Sequence, residues 1–190
     1  MDHYPIFKPD QDGREAYCDN LAVMRKYALQ KSIPFWNFFN VMPFGPHTDP
    51  TEAQIKWQIY TSIAYGAKGV LYFCYWTPRG YEFPKGGAII TAEGLRTRHY
   101  DQARRINFAV KNLGPTLMKL KSEAVIRIAP KNAPALPEDC PIKSIDNGDY
   151  LIGIFSHEDG RRAVLLNNYS IAYTAWPTVV FNADLTSIRE

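Results

Sequence analysis

The sequence predicts an α/β fold, namely the C-terminal portion of a (β/α)₈ TIM barrel followed by a small all-β domain. Three observations lead to this prediction. Helical and extended segments alternate in the first part of the chain, the two main extended segments are apolar on both faces, and short alternating strands replace this order after Pro115. We expect the barrel portion at residues 1–115 and a β-sandwich-like domain at residues 122–190. The strand pattern of this second domain is expected to be incomplete.

Two helices and a strand are predicted in the first third of the chain. A helix over Glu15–Lys31 carries its apolar side chains on one face, and Ile33–Phe39 is rich in the aromatic residues that favour strands. A second helix is expected to begin at Asp49 as its N-cap, with Glu52 completing a capping box, and to end at Gly66.

A second strand and a third helix follow. The run Gly69–Trp76 is apolar at almost every position, which is typical of parallel strands covered by helices on both faces. After a loop rich in glycine and proline, a helix is predicted over residues 93–113, ended by Gly114 and Pro115.

Beyond Pro115 the pattern predicts an all-β domain. Short segments of alternating polarity are separated by turn residues, and Asp159-Gly160 between two of them is a hairpin signal. We expect Tyr173 and Trp176 to pack against the sheet. The predicted strands are Ala124–Ile128, Tyr150–Phe155, Arg162–Asn167 and Thr178–Phe181.

The barrel prediction depends on how much surface a two-stranded sheet can bury. Phe35, Phe39, Leu71 and Phe73 would face water if the two strands stood alone, at about 1.5–3 kcal/mol each. A closed ring of about eight strands would cover them. We therefore expect a partner, either the N-terminal barrel half upstream or another subunit. A small self-contained α/β domain is the alternative.

Composition excludes several classes of function. The 190 residues are 46% apolar and 22% charged with a net charge of +3, and basic residues form no strong cluster, so nucleic-acid binding has no support. No apolar run is long enough for a membrane span. The three cysteines have no zinc spacing, and no phosphate loop or nucleophile elbow occurs, so we predict no metal and no cofactor. Localisation stays open, periplasmic or secreted if a signal peptide lies upstream.

Four segments resemble a bacterial group of glycoside hydrolase-like (β/α)₈ proteins, similar to the clan A and β-galactosidase-type barrels. They are Asp2-His3-Tyr4-Pro5, Ile33–Phe39, Asp49–Gln58 and Gly66–Trp76. The resemblance implies that the first segment follows barrel strand six and that Ile33–Phe39 and Gly66–Trp76 contain strands seven and eight. It also implies that the Gly86–Ile90 loop covers the site.

The resemblance implies a carbohydrate site at the carboxyl ends of these strands, where barrel enzymes hold their substrates. Trp76 would stack under a sugar ring, although a core-capping role is an equal alternative. Asp2 and Glu82 are the candidate catalytic carboxylates; a turn-stabilising Asp2 and a solvated Glu82 are the alternatives. The candidate substrate-binding residues are His3, Tyr4, Asn37, Asn40, Tyr75 and Trp76.

The expected activity is hydrolysis of O-glycosidic bonds by the full-length protein. Such hydrolysis usually requires two carboxylates, and the family pattern places a glutamate at the end of strand seven, where this sequence has Asn37 and Asn40. We therefore predict that this chain alone is inactive. A carbohydrate-binding barrel protein without catalysis is the alternative function.

Overall fold

The computed structural model describes residues 3–8 and 10–182, so the candidate Asp2 lies outside the described residues. The chain divides into two compact units, Met1–Met118 and Lys119–Glu190. Each unit is considered by itself below.

The first unit contains a short hairpin, three helices and one pair of parallel strands. The hairpin precedes the first helix, and from there helices and strands alternate. Its elements are β1 (Phe7–Lys8), β2 (Gln11–Asp12), α1 (Arg14–Lys31), β3 (Trp36–Asn40), α2 (Glu52–Ala64), β4 (Gly69–Phe73) and α3 (Arg98–Leu117).

The parallel pair β3–β4 is the centre of this unit. Its register runs from Trp36 opposite Gly69 to Asn40 opposite Phe73. Beneath it, large apolar side chains of α1, β3 and α2 form a fully buried core, and these include Tyr17, Leu21, Phe39, Ile55 and Ile59. Trp36, which the aromatic run suggested as a core residue, is instead 54% exposed.

The predicted TIM-barrel portion is wrong. Among the described residues of this unit the parallel sheet has only the two strands β3 and β4, and the remaining pair, β1–β2, is antiparallel. The burial argument overestimated the exposed surface, because Phe35 and Phe39 are buried by the unit itself. Residues Gly69–Phe73 of β4 are half-buried throughout, so the apolar run does not require a closed ring.

Two helix ends differ from the prediction. Thr51, not Asp49, caps α2: its side chain accepts from the Gln54 N–H at 3.2 Å, and Gln54 Oε1 accepts from the Thr51 N–H at 2.9 Å. Pro115 lies within α3 and does not end it. The proline removes one N–H donor, but the helix closes beyond it through the Met118 N–H bond to Gly114 C=O.

The second unit is built from antiparallel strands. A three-stranded sheet has the order β5-β7-β8, and β6 pairs with β9; the β7–β8 hairpin at Asp159-Gly160 is confirmed. Its core includes Ile126, Ile142 and Ile152. The strands are β5 (Leu120–Ile128), β6 (Ile142–Ile145), β7 (Tyr150–His157), β8 (Arg162–Asn168) and β9 (Val179–Phe181).

Several side-chain expectations were also tested. Tyr173 and Trp176 do not pack against the sheet, since they are 79% and 86% exposed. Cys18, Cys74 and Cys140 are all free thiols. No helix among the described residues is long and apolar enough to cross a membrane.

Candidate functional site

The candidate site lies where β3 and β4 end. Because the strands are parallel, Asn40 and Phe73 end them at the same edge of the pair. The chain leaves β4 through a cis peptide bond between Phe73 and Cys74 and then presents Tyr75 and Trp76. We call this region the carboxyl edge.

The backbone around Trp76 is fixed by hydrogen bonds to residues 88–90, which we call the returning segment. Ile90 N–H donates to Tyr75 C=O at 2.7 Å, and Thr77 N–H donates to Ile90 C=O at 2.9 Å. The Thr77 hydroxyl also donates to Ile90 C=O at 2.8 Å and accepts from the Ala88 N–H at 3.2 Å. Trp76 therefore lies between two residues whose backbones are both tied to Ile90.

A second threonine fixes the other side of the returning segment. Thr97, the N-cap of α3, donates its hydroxyl to Ala88 C=O at 2.5 Å, and its N–H donates to Ile89 C=O at 3.1 Å. Ala88, Ile89 and Ile90 are consequently buried. The loop therefore has a rigid base, although its tip carries exposed residues.

The aromatic rings at this edge remain open to solvent. Tyr75 is 58% exposed and Trp76 is 54% exposed, on the fixed backbone just described. Gly94 lies beside the indole, and a Cβ atom there would be in ordinary van der Waals contact with Trp76 at 3.8 Å. A half-exposed aromatic face on a rigid backbone is suited to stacking on a flat apolar surface.

Five partly buried rings pack together next to these residues, and we call them the aromatic cluster. Tyr4 and Phe73 lie 5.6 Å apart between centroids, and Phe44 lies 5.0 Å from Phe73 and 4.8 Å from His47. Phe83 joins through Phe73 at 6.0 Å. Tyr4, a predicted substrate-binding residue, therefore packs at the carboxyl edge with ring partners of its own.

His47 is a member of the cluster that the sequence analysis did not identify. Burial lowers its pKa, a hydrogen bond with the Pro5 backbone opposes this, and the positive charges of His3 and Lys8 lower the pKa further. Its Nδ1 atom is buried and has no hydrogen-bond partner among the described residues. Its position in the loop after a strand's carboxyl end is the signal that could have identified it.

Asn37 is directed into the interior of the unit rather than towards solvent. Its amide donates to the Tyr17 hydroxyl at 2.7 Å and to Ser62 Oγ at 3.0 Å, and Ser62 Oγ donates to Gln58 C=O at 2.9 Å. The side chain is fully buried. Asn37 therefore connects β3 to α1 and α2 and does not reach the surface that a substrate would contact.

Asn40 is also buried, and its backbone is held by Gln58. Asn40 N–H donates to Gln58 Oε1 at 2.9 Å, and Gln58 Nε2 donates to Asn40 C=O at 3.0 Å. The Asn40 side chain accepts from the Met42 N–H at 3.1 Å, which shapes the turn out of β3. Asn40 therefore fixes the backbone at the end of β3 from inside the unit.

The remaining candidates lie apart from one another. His3 Nδ1 is 2.7 Å from the Asn20 amide nitrogen, and the His3 ring meets Tyr17 edge-on at 6.0 Å. Glu82 is exposed in the loop after β4, next to Phe83 of the aromatic cluster. Within residues 3–8 and 10–182 no cluster of histidine, cysteine and carboxylate side chains could hold a metal ion.

The comparisons with known proteins give no relative for this chain. No family model matches the sequence, and no curated protein matches it. The chemistry of the site must therefore be argued from its residues.

Proposed function

We propose that the protein binds carbohydrate at the carboxyl edge, with the indole of Trp76 as the stacking platform and Tyr75 beside it. The observation that carries the proposal is a half-exposed indole between residues fixed by backbone hydrogen bonds. Sugar rings present C–H faces that pack on aromatic rings, and a platform that is already ordered loses little entropy on binding.

The proposal is tested by calorimetric titration of the 190-residue chain with a panel of neutral oligosaccharides, using Trp76→Ala and Trp36→Ala variants. The two tryptophans are equally exposed, but Trp36 stands at the start of β3 and packs its ring against Gly69, at the opposite end of the strand pair. We expect Trp76→Ala to weaken binding at least about tenfold, equivalent to about 1.4 kcal/mol.

Trp36→Ala is expected to bind as the unchanged protein does, provided that circular dichroism shows it folded. Equal binding by the Trp76→Ala variant, or no binding of any oligosaccharide by the unchanged chain, would refute the proposal.

Hydrolysis of O-glycosidic bonds by a longer protein is the second candidate. Phe83 packs at the carboxyl edge, which brings the loop that carries Glu82 to the same region as Trp76. Because glycoside hydrolysis usually needs a pair of carboxylates, we expect this chain alone to bind sugar without cleaving it.

Aryl glycosides provide the test of hydrolysis. The purified chain should release no aryl alcohol above background. Turnover that disappears in Glu82→Gln or Asp2→Asn would contradict the expected inactivity and would establish a hydrolase within these residues. Glu138→Gln, which removes an exposed carboxylate from the second unit, is the control for the loss of a negative charge.

A further inference from the structure

A cleft of about 870 Å³ runs between β4 and α3 in the first unit. Aromatic side chains line it, and three cations, Arg104, Arg105 and Lys111, stand on the helix side. The lining residues used below are Tyr72, Tyr75, Tyr100, Arg104, Phe108 and Lys111. Phe108 is 68% exposed, so it offers apolar surface to an occupant of the cleft.

The edge of β4 that faces away from β3 has no strand beside it. Among the described residues β4 pairs only with β3. Val41 N–H donates to Phe73 C=O, so the backbone of Phe73 is directed towards β3. Since backbone groups alternate in direction along a parallel strand, those of Val70 and Tyr72 are directed to the open edge.

On the corresponding edge of β3, the backbone of Asn40 has hydrogen-bond partners. There the Gln58 amide bonds both the N–H and the C=O of Asn40, in the place that a neighbouring strand would take. Open strand edges usually carry charges, bulges or a covering element that prevents pairing. The five residues of β4, Gly69–Phe73, carry no charge and no bulge, and Tyr72 lines the cleft beside α3.

The part of α3 that lines the cleft is about as long as β4. The helix face from Tyr100 to Lys111 is about 17 Å long at 1.5 Å per residue, and the five residues of β4 also span about 17 Å. Tyr72, whose hydroxyl donates to Asn107 at 2.8 Å, joins the strand to the helix midway. Of the five residues of β4, Tyr72 lines the cleft, so the cleft reaches the strand at this residue.

The charged side chains along the cleft indicate the charge of the ligand that it would bind. Arg104 and Lys111 are exposed and form no ion pair with a described residue, whereas the neighbouring Arg105 is bonded to Glu52 at 2.6 Å. Asp101 is the one carboxylate in the lining, against these cations.

We propose that the open edge of β4 and the adjoining face of α3 bind an extended polypeptide segment that bears carboxylates and adds to the sheet as a strand. The backbone of the segment pairs with Val70 and Tyr72, its apolar side chains pack on Tyr72, Tyr75 and Phe108, and its carboxylates meet Arg104 and Lys111. This is the strand-addition mode of peptide recognition.

The experiment uses the full chain and labelled, end-blocked peptides of alternating valine and threonine, as long as β4. One peptide has a glutamate at each end, a second has lysines there, and a third is the glutamate peptide methylated on alternate backbone nitrogens. Fluorescence anisotropy should show binding of the glutamate peptide, at least about tenfold weaker binding of the lysine peptide, and no binding of the methylated one.

Charge-reversal variants locate the site. The double change Arg104→Glu and Lys111→Glu should invert the peptide preference, and Phe108→Asp should abolish binding. Lys26→Glu on the exposed face of α1 should change nothing, and Trp76→Ala should leave peptide binding intact, which separates this proposal from the carbohydrate site. No binding, equal affinity for the two charge types, or unchanged binding of the methylated peptide would overturn the proposal.

Discussion

At the residue scale, the Gln58 side chain holds the backbone of Asn40 in place at the carboxyl edge. Its amide is fully buried and bonds both backbone groups of Asn40. Replacing it by leucine leaves an N–H and a C=O buried without partners, each worth about 1–3 kcal/mol. We expect Gln58→Leu to lower the free energy of unfolding by about 2–6 kcal/mol in urea titrations.

Gln30→Leu is the matched control for this change. Gln30 lies exposed on α1, so the same substitution there should alter stability by less than about 0.5 kcal/mol. Equal effects of the two substitutions would show that the Asn40 backbone does not need its amide partner.

His47 is the residue through which the first unit should respond to pH. Its pKa in the folded protein lies below the ordinary value of 6.5, chiefly because burial disfavours the charged ring. A lowered pKa means that the unfolded chain takes up the proton first. The stabilisation is therefore complete above about pH 6.5 and is lost as pH falls through the pKa of the folded state.

We expect His47→Gln to reduce this acid sensitivity. The difference in unfolding free energy between the protein and the variant, measured from about pH 8 to pH 5, should shift in favour of the variant as the solution becomes acidic. His157→Gln in the second unit is the comparison and should show no such trend in the first unit. A pH-independent difference for His47→Gln would refute the assignment.

At the scale of elements, the cap of α2 is Thr51 and not Asp49, the residue that the sequence analysis predicted. Thr51 closes the capping box with Gln54, while Asp49 accepts from Arg98 at 2.7 Å and lies 2.8 Å from His99 Nε2. We expect Thr51→Ala to destabilise the unit by about 1 kcal/mol and to speed amide exchange in the first turn of α2.

Asp49→Ala separates the two roles. It should loosen the start of α3, where His99 is buried, and leave exchange at the start of α2 unchanged. Thr51→Ser should restore protection to the first turn of α2. Fraying of α2 in Asp49→Ala but not in Thr51→Ala would instead make Asp49 the cap.

The order of the three helices and of β3 and β4 in the first unit could be predicted because local patterns determine it, whereas the hairpin β1–β2 was not predicted. The amphipathic run before Lys31 and the apolar runs at β3 and β4 are legible in the sequence alone. Helix ends were less predictable. Asp49 and Thr51 both have side chains that can cap, and only the contacts with Arg98 and His99, distant in sequence, decide between them.

The candidate site was predictable only in part, for a related reason. Asn37 and Asn40 were predicted to bind substrate because the resemblance placed them at the carboxyl end of a barrel strand. Their partners Tyr17, Gln58 and Ser62 lie on two separate helices, and no local pattern reveals that these atoms meet inside the unit. Trp76 as a sugar platform stays a prediction.

At the scale of the whole molecule, each of the two units has a core of its own. Tyr17, Leu21 and Phe39 are fully buried in the first, and Ile152 and Ile154 in the second. The barrel prediction took the apolar residues of the two strands as evidence that further strands were missing. Within the first unit, however, Phe35 and Phe39 are buried without further strands. Units with separate cores are expected to unfold as separate cooperative transitions.

Ile152→Ala tests this separation. Ile152 is fully buried in β7, and truncating such a residue costs about 2–5 kcal/mol. In a urea titration followed by pulsed hydrogen exchange, the variant should lose protection of β7 at lower urea while the transition of α2 is unchanged. Leu21→Ala, which truncates the core of the first unit, should do the reverse. If either substitution moved both transitions together, the two units would form one cooperative structure, and the distinct cores would not be energetically independent.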